Sequence, residues 1–408
     1  MRSCLSSLNV LIVAQYFPPD LGGSATRAFN VAKGLILNGC EVTVVAAFPH
    51  YPHGDIPREY RWKPFKVGWM GRIRVIRTFM PPLKSEGFFK RLLLLASFAV
   101  SAMFALPVVG GFDVVWASSW APGVFYSRVK RRKLVLNVDD LTIKDVVDLG
   151  LLREGSMLVR VGRLAYKVFY VQGDAVTPIS SGYVERIMEY GVKKEKIYPI
   201  RGGVDLETFR LAPPPRDDKF TVLYSGAFSV AYDFEQILRA ADVLRKEKRD
   251  DIVFVIQGAG ELADQIRSSV EDLNLKNVAI INKIVSRDEV AELLNGADAL
   301  ILPLADFGRP YLGISSKLYE YQAVGKPIIC CGEGEPADYV RETKSGVVVK
   351  PRDSGSLARA ALHLRDDPDL ARSLGESGRK YVEGHVSVEQ VGLRMRRLFE
   401  ELLQGRRR

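Results

Sequence analysis

Cysteine and histidine are scarce in this chain, with four of each in 408 residues. Cys4, Cys40, Cys330 and Cys331 show no C-x-x-C spacing, and an adjacent pair seldom bridges. A disulfide framework is therefore not expected, and the thiols read as reduced residues of a cytosolic protein. His50 and His53 fall close together in Phe48-Pro49-His50-Tyr51-Pro52-His53-Gly54, but no cysteine or carboxylate cluster accompanies them. They read as loop histidines, and no metal site is expected. A cleavable leader is not expected either: the apolar run Leu8 to Ala14 follows Arg2, but no small-residue cleavage site precedes Tyr16-Phe17-Pro18-Pro19. A buried first strand explains that run better.

What is present is an ordinary globular composition, 47% hydrophobic and 26% charged, in a chain too long for one typical core. Two domains are expected. A balance of 58 Lys and Arg against 48 Asp and Glu gives a net charge of +10, which favours an anionic partner such as phosphate, acidic lipid or nucleic acid. No recognition helix or stacking-sheet motif accompanies the basic residues, so nucleic acid is not expected among the partners.

Short apolar, β-rich runs alternate with longer amphipathic ones. Val10 to Ala14, Val42 to Ala46, Val114 to Ala117 and Leu134 to Asn137 form one series. A second starts at Phe220 to Tyr224 and continues through Ile252 to Ile256, Val278 to Ile281, Ala299 to Leu302, Pro327 to Cys331 and Gly346 to Val349. Strands buried on both faces and separated by helices imply parallel sheets built from right-handed βαβ units, here two of them. Between the series lies Leu211-Ala212-Pro213-Pro214-Pro215-Arg216-Asp217-Asp218, whose prolines stop regular structure and whose charges keep it solvated. The expected domains are thus 1–212 and 213–385, with a helix in 386–408 long enough to pack back on the first. Ligands of such sheets sit beyond the carboxyl ends of the strands, so a cleft between two facing sheets is the expected binding place.

Two loops after strands carry the residues suited to chemistry. Pro18 to Arg27 contains Gly22-Gly23 ahead of a helix from about Ala25 to Leu37; paired glycines let backbone N–H groups approach a ligand, and a helix start favours anions. A plain turn accounts for the same two glycines equally well. The stronger stretch is Gly308-Arg309-Pro310-Tyr311-Leu312-Gly313-Ile314-Ser315-Ser316-Lys317-Leu318-Tyr319-Glu320. A glycine- and serine-bearing loop there opens a helix, with Lys317 in the first turn and Glu320 about one turn on. That puts N–H donors and an ammonium where a diphosphate would lie, and a carboxylate within reach of ribose hydroxyls. The plainer alternative makes Ser315 an N-cap and Glu320 a solvated helix residue.

Taken together these stretches resemble the retaining glycosyltransferases of family 4, which have the GT-B architecture of two facing Rossmann-like domains. The resemblance is nearest to the branch making surface polysaccharides and lipid-linked glycans, including N-acetylfucosamine-type transferases. It runs in order through Tyr16-Phe17-Pro18-Pro19 with Gly22-Gly23 and Arg27, Ile200-Arg201-Gly202-Gly203-Val204-Asp205 with Phe209, Gly226, Gly258-Ala259-Gly260, Ala297-Asp298-Ala299 with Pro303, Ser316 to Tyr321, and Gly346 to Val349 with Pro351. It implies that Gly22, Gly23 and Arg27 lie near the donor diphosphate and acceptor. By the same resemblance Glu320 binds the donor ribose, Ser315, Ser316 and Lys317 face phosphate, and Gly226, Gly258 and Gly260 lie on the donor side. Asp140, in Asn137-Val138-Asp139-Asp140-Leu141, matches an aspartate that follows a strand of the acceptor domain, where a sugar contact is expected.

The chain also departs from that pattern. The first glutamate of the family's Glu-x7-Glu falls on Leu312, its usual Arg and Lys after the first strand of the second domain fall on Ala227 and Tyr232, and its Asn before Gly-Val-Asp is Gly202. The implied mechanism is front-face displacement through an oxocarbenium-like transition state, with no cofactor and no metal. Charge on the leaving diphosphate is met by Lys317, helix N-termini and Arg27 or Arg309. UDP is the favoured nucleotide because members of that branch commonly use UDP-N-acetylhexosamines. The lost Glu, Arg and Lys keep a second reading open, a non-catalytic sugar-nucleotide-binding subunit of a glycan assembly complex. A sugar-nucleotide epimerase shares the two-domain fold and is a third.

Arg61 to Arg91 holds nine basic residues and one acidic, and Leu92 to Val109 carries no charge. That apolar length is near the ~20 residues of a membrane span. Yet it leads straight into Phe112 to Ala117, which reads as a central strand, and a span there would split the sheet. A buried or surface helix, an interfacial helix docked on anionic lipid, and a span are the three alternatives. The aromatic residues Trp62, Phe65, Trp69, Phe88 and Phe89 favour docking, which places the protein in the cytoplasm at the inner face of the cell membrane.

Overall fold

The computed structural model describes residues 7–51, 54–61, 63–84, 88–139, 147, 152–213 and 219–405. The chain divides into two compact units, Met1–Gly203 with Val388–Arg408, and Val204–Ser387. Each is a Rossmann-like α/β unit.

The first unit holds a seven-stranded sheet in the order β3-β4-β2-β1-β5-β6-β7. Its strands are β1 (Asn9–Val13), β2 (Glu41–Ala47), β3 (Phe65–Met70), β4 (Ile73–Thr78), β5 (Val114–Ala117), β6 (Lys133–Val138) and β7 (Ala175–Pro178). All pair in parallel except β3, which is antiparallel to β4 at the edge. The central strands β1 and β5 are almost wholly buried, whereas β3 alternates between exposed and half-buried residues, as an edge strand with one wet face should. The β3–β4 hairpin and β7 were not among the expected strands. The hairpin lies within the basic stretch, where Lys66, Arg72, Arg74 and Arg77 interrupt the apolar alternation.

Side chains of β1 alternate between the two faces of this sheet. On one face Val10, Ile12 and Ala14 join a core with Val31 and Leu35 of the helix Gly23–Leu37 and Val391 and Met395 of the helix Val388–Gln404. Those two helices touch so closely that a Cβ on Gly34 would lie 2.1 Å from the Val388 carbonyl oxygen. On the other face the helix Trp120–Lys130 sits over Ala117 and Leu134, both of which a Cβ on Gly123 would meet. The helix Phe88–Phe104 lies beside it, with Tyr126 donating a hydrogen bond of 2.5 Å to the Ala102 carbonyl. The helix Met157–Tyr170 lies on its other flank, with Tyr166 and Tyr170 against the Trp120 ring.

The second unit holds a six-stranded, all-parallel sheet in the order β10-β9-β8-β11-β12-β13. Here β8 is Phe220–Ala227, β9 Ile252–Ala259, β10 Val278–Asn282, β11 Ala299–Pro303, β12 Ile328–Cys331 and β13 Gly346–Val349. Read from its own first strand the order is 3-2-1-4-5-6, that of a dinucleotide-binding fold, and the strand order reverses between β8 and β11, which run parallel. Without its antiparallel edge strand the first sheet has the same order, with the reversal between β1 and β5.

The division between units falls at Gly203/Val204 instead of at 212/213. Val204 N–H donates to the Val386 carbonyl at 2.9 Å, and Val204 and Phe209 belong to the second unit's core. The proline-rich segment therefore starts inside the second unit, and its residues 214–218 lie outside the described residues. The chain recrosses at Ser387/Val388, and the helix Val388–Gln404 belongs to the first unit. Among the described residues no helix is long and apolar enough to cross a membrane. The expected apolar run is divided between Phe88–Phe104 and a short helix, Leu106–Val109.

Candidate active site

In the second unit the loops that follow β8 and β11 meet where the strand order reverses. Tyr232 bridges to Leu304, Asp233 N–H donates to the Pro303 carbonyl at 2.8 Å, and Ala305 N–H donates to that of Ala231 at 3.0 Å. The β11 loop then runs through Arg309 to the helix Ser316–Ala323, with Ser315 at the N-cap. The Ser315 hydroxyl makes no capping hydrogen bond. Gly308 N–H is turned onto the Asp306 carboxylate at 2.8 Å, and half-buried Arg309 follows it.

Lys317, in the first turn of that helix, points back at the end of β8. Its Nζ lies 5.8 Å from the ring centroid of Tyr224 and 5.2 Å from that of Tyr232. Among the described residues no carboxylate lies within salt-bridge distance of it. Two aromatic faces hold the ammonium by cation–π attraction without neutralising it. Burial pushes the Tyr224 phenol well above its ordinary value, and its hydroxyl donates to the Ala227 carbonyl at 2.7 Å.

Gly226 makes this approach possible. At φ 155° it adopts a backbone that side-chain-bearing residues avoid, and a Cβ there would lie 2.3 Å from Lys317 Cε. One strand over, a Cβ on Gly258 would lie 1.7 Å from the Gly226 carbonyl oxygen, and one on Gly260 would meet the Phe228 carbonyl at 2.3 Å. These glycines let the ends of β8 and β9 close on each other beside the lysine.

Glu320 faces a different partner. Its Oε1 accepts a hydrogen bond of 3.1 Å from Arg287, and its side chain is 14% exposed, so it is not a solvated helix residue. Arg287 also lies over the Phe209 ring at 5.0 Å and opens the helix Arg287–Asn295, whose Ser286–Glu289 capping box fixes that turn. Nothing in the local sequence pattern singled out Arg287, Tyr224 or the ring of Tyr232. They join Lys317 and Glu320 only through the sheet.

In the first unit the expected residues separate. Gly22, at φ 103°, is the N-cap of the helix Gly23–Leu37, and a Cβ on Gly23 would meet nothing within 4 Å, so this helix start is open. Arg27 is not open. It is 2% exposed, and its guanidinium donates to the carbonyls of Arg201 and Ile200, the latter at 2.6 Å, and lies 3.6 Å from Asp139. The direct diphosphate contact expected of Arg27 does not fit this arrangement: its donors tie the helix to the segment after β7 and to the end of β6. Asp140 and His53 lie outside the described residues. His50 is a loop histidine, with Nδ1 2.8 Å from the Phe48 carbonyl and its ring stacked on Tyr16. Asp20 holds the same loop by accepting the N–H groups of His50 and Tyr51 at 2.8 and 2.9 Å. Buried Arg77 donates to the Phe17 and Ala47 carbonyls, joining the ends of β1 and β2.

Two Rossmann-like units, the second carrying Lys317 where its first and fourth strands diverge, are the parts of a GT-B architecture. Residues 21–208 match the family model Glycosyltransferase Family 4 and residues 206–381 match Glycosyl transferases group 1, and the chain belongs to this glycosyltransferase family. It is 25% identical over 401 residues to a protein of Escherichia coli described as the colanic acid biosynthesis glycosyl transferase WcaI, covering 90% of this chain and 96% of that one. Sucrose-phosphate synthase of Thermosynechococcus elongatus shares the fold with a TM-score of 0.74 at 19% identity, over 98% of this chain and 100% of that one. HepE of Anabaena, solved with UDP and glucose, does so with a TM-score of 0.65 at 16% identity, over 96% and 99%.

Proposed function

We propose that this protein is a retaining, metal-independent glycosyltransferase that moves a hexosyl or N-acetylhexosaminyl group from a nucleotide diphosphate sugar to a glycan or lipid-linked acceptor at a membrane surface. The observation that carries the reading is the Lys317 ammonium, held between Tyr224 and Tyr232 at the reversal point of the second sheet, with no carboxylate among the described residues to neutralise it. Negative charge grows on a departing nucleoside diphosphate, and a preorganised cation there stabilises the transition state more than the ground state. Tyr232 stands where the family usually has a lysine; its ring keeps the one remaining ammonium in place. Ser315, Ser316 and Arg309 complete the phosphate side, and Glu320 takes the ribose hydroxyls, exchanging its bond to Arg287 for them. Gly22 and Gly23 offer an open helix start on the acceptor unit. Asp140 remains the proposed sugar contact there.

UDP is the proposed nucleotide, since HepE, a protein of the same fold, was solved with it. A surface-polysaccharide acceptor fits the likeness to WcaI. No cofactor beyond the nucleotide sugar is required by this chemistry. A peripheral place at the cytoplasmic side of the membrane is supported by the helix Phe88–Phe104, which buries Leu94, Phe98 and Ala102 but exposes Phe89 (84%), Leu92, Leu93, Leu95 and Phe104 (78%). Lys90 and Arg91 open that helix, as an interfacial helix on anionic lipid requires.

Thermal stabilisation by UDP, GDP, ADP and dTDP tests the reading, because a nucleotide at ~100 times its Kd adds about 2.7 kcal/mol to the folded state. One nucleotide should shift the melting temperature, and a sugar–nucleotide panel should then show slow nucleotide release that persists in EDTA. Binding without any release or transfer would favour the non-catalytic reading, which the Leu312 and Ala227 positions motivate. Conversion of the sugar without an acceptor would indicate an epimerase.

A further inference from the structure

We propose that the helix Met157–Tyr170 is a second lipid-docking element, and that with Phe88–Phe104 it makes one helical layer of the first unit into a platform for an anionic bilayer. The proposal rests on the reading that the protein works at a membrane surface, and goes beyond it by assigning a contact on the far side of the layer.

The helix is amphipathic but turned the opposite way from a core helix. Its inward side is aromatic: Tyr166 and Tyr170 pack edge-on and tilted against Trp120, at 4.9 and 4.7 Å between ring centroids, and Val159 is fully buried. Its aliphatic residues face solvent. Met157 (82% exposed), Val161, Leu164 (62%), Val168 and Val171 recur at alternating four- and three-residue steps, which at 3.6 residues per turn forms one continuous outward stripe. A soluble domain rarely leaves such a stripe uncovered.

Charge identifies the occupant. Arg160 and Lys167 flank the stripe on one side, Arg163 lies further round and is paired with Glu154, and the helix contains no acidic residue. The same holds for its neighbours on this face of the sheet: Phe88–Phe104 carries Lys90 and Arg91, Trp120–Lys130 carries Arg128 and Lys130, and neither contains Asp or Glu. On the opposite face the helix Val388–Gln404 mixes Glu389, Glu400 and Glu401 with its arginines and turns its apolar residues inward. A net positive layer with outward aliphatic residues on both flanking helices is complementary to anionic headgroups over an acyl boundary. A second copy of the same helix fits poorly, because Arg160 and Lys167 beside the stripe would meet their own counterparts, while the neighbouring Glu154 and Glu189 are already paired with Arg163 and Arg186.

Flotation of the full chain with phosphatidylcholine vesicles, with and without phosphatidylglycerol, tests this. Two variants address the second helix, Val161→Asp/Leu164→Asp and Arg160→Glu/Lys167→Glu, and Leu92→Asp/Leu95→Asp addresses the first. All these residues are surface positions, so the melting temperature should stay as in the wild type. Each second-helix variant should lower association with phosphatidylglycerol vesicles by about tenfold or more. A polarity-sensitive fluorophore on Leu164→Cys, in a Cys4→Ser background, should shift to the blue when those vesicles are added. Wild-type flotation that is lost in Leu92→Asp/Leu95→Asp but kept in both second-helix variants, with no fluorophore shift, overturns the proposal and leaves the membrane reading standing. No wild-type flotation overturns both. A wild-type dimer that becomes monomeric in Val161→Asp/Leu164→Asp assigns the stripe to a second copy and also overturns the proposal.

Discussion

The two Rossmann-like units share a strand order and differ in what they do with their cations. In the first, Arg27 is sealed beneath the strand ends and its donors are used on backbone carbonyls and Asp139. In the second, Lys317 reaches the corresponding reversal point and meets two aromatic rings. A guanidinium with five N–H donors is suited to holding several carbonyls at once, whereas an ammonium on a flexible stem is suited to meeting a charge that arrives with the substrate. One topology therefore carries a structural cation in one half and a candidate catalytic cation in the other.

The comparison can be broken by substitution. Gly258→Ala should have the largest effect, because its Cβ would sit 1.7 Å from a backbone oxygen that cannot move without parting β8 from β9. A loss of more than about 4 kcal/mol, or failure to fold, is expected in chemical denaturation. Arg27→Leu removes a buried cation and strands the carbonyls and Asp139 it served; roughly 3 kcal/mol of stability should go, with the remaining folded protein still binding nucleotide. If instead Arg27→Leu is stable and loses nucleotide binding, the arginine is a donor ligand and the contrast fails.

Lys317→Ala should do the reverse. Its melting temperature should stay close to the wild type, while the rate of nucleotide release from the donor falls about 100-fold and ground-state affinity falls less. Glu320→Gln should weaken donor use about tenfold without unfolding, since it loses charge-assisted bonds to the ribose and its ion pair with Arg287 is only partly buried. Wild-type kinetics in both variants would place the donor site elsewhere. The smallest effect concerns buried thiols. Burial pushes Cys40 up to about 11 and Cys330 to about 12 from the ordinary 9.0. Because those folded-state values are raised, their contribution is intact below pH 9.0 and is lost as the unfolded chain ionises above it. Cys330→Ala should make alkaline denaturation profiles slightly shallower.

Much of the site was legible in the order of residues. The loop from Gly308 to Glu320 follows a strand and opens a helix, so the neighbourhood of Ser315, Lys317 and Glu320 is a local matter of helical spacing. The role of Gly226, Gly258 and Gly260 was not: the sequence marks three glycines at strand ends, and only the pairing of Gly226 with Gly258 shows that they admit a lysine and each other's backbone. Arg27 shows what local spacing leaves out. An arginine in the first turns of a helix after paired glycines reads as an anion ligand, yet the chain after β7 comes back beneath it and takes its donors. The β3–β4 hairpin was missed because basic residues on an edge strand break the apolar alternation by which strands are recognised.

By itself the sequence determined two parallel α/β units, their approximate limits and the loop that opens the donor-side helix, because alternation of buried strands with amphipathic helices, and helical spacing, are properties of neighbours along the chain. Only the tertiary structure decided which cation is buried and which is open, that Glu320 pairs with Arg287, and that the stripe from Met157 to Val171 faces outward. Those outcomes depend on segments far apart in sequence competing for the same donors and the same apolar surface. No local pattern records which of them wins.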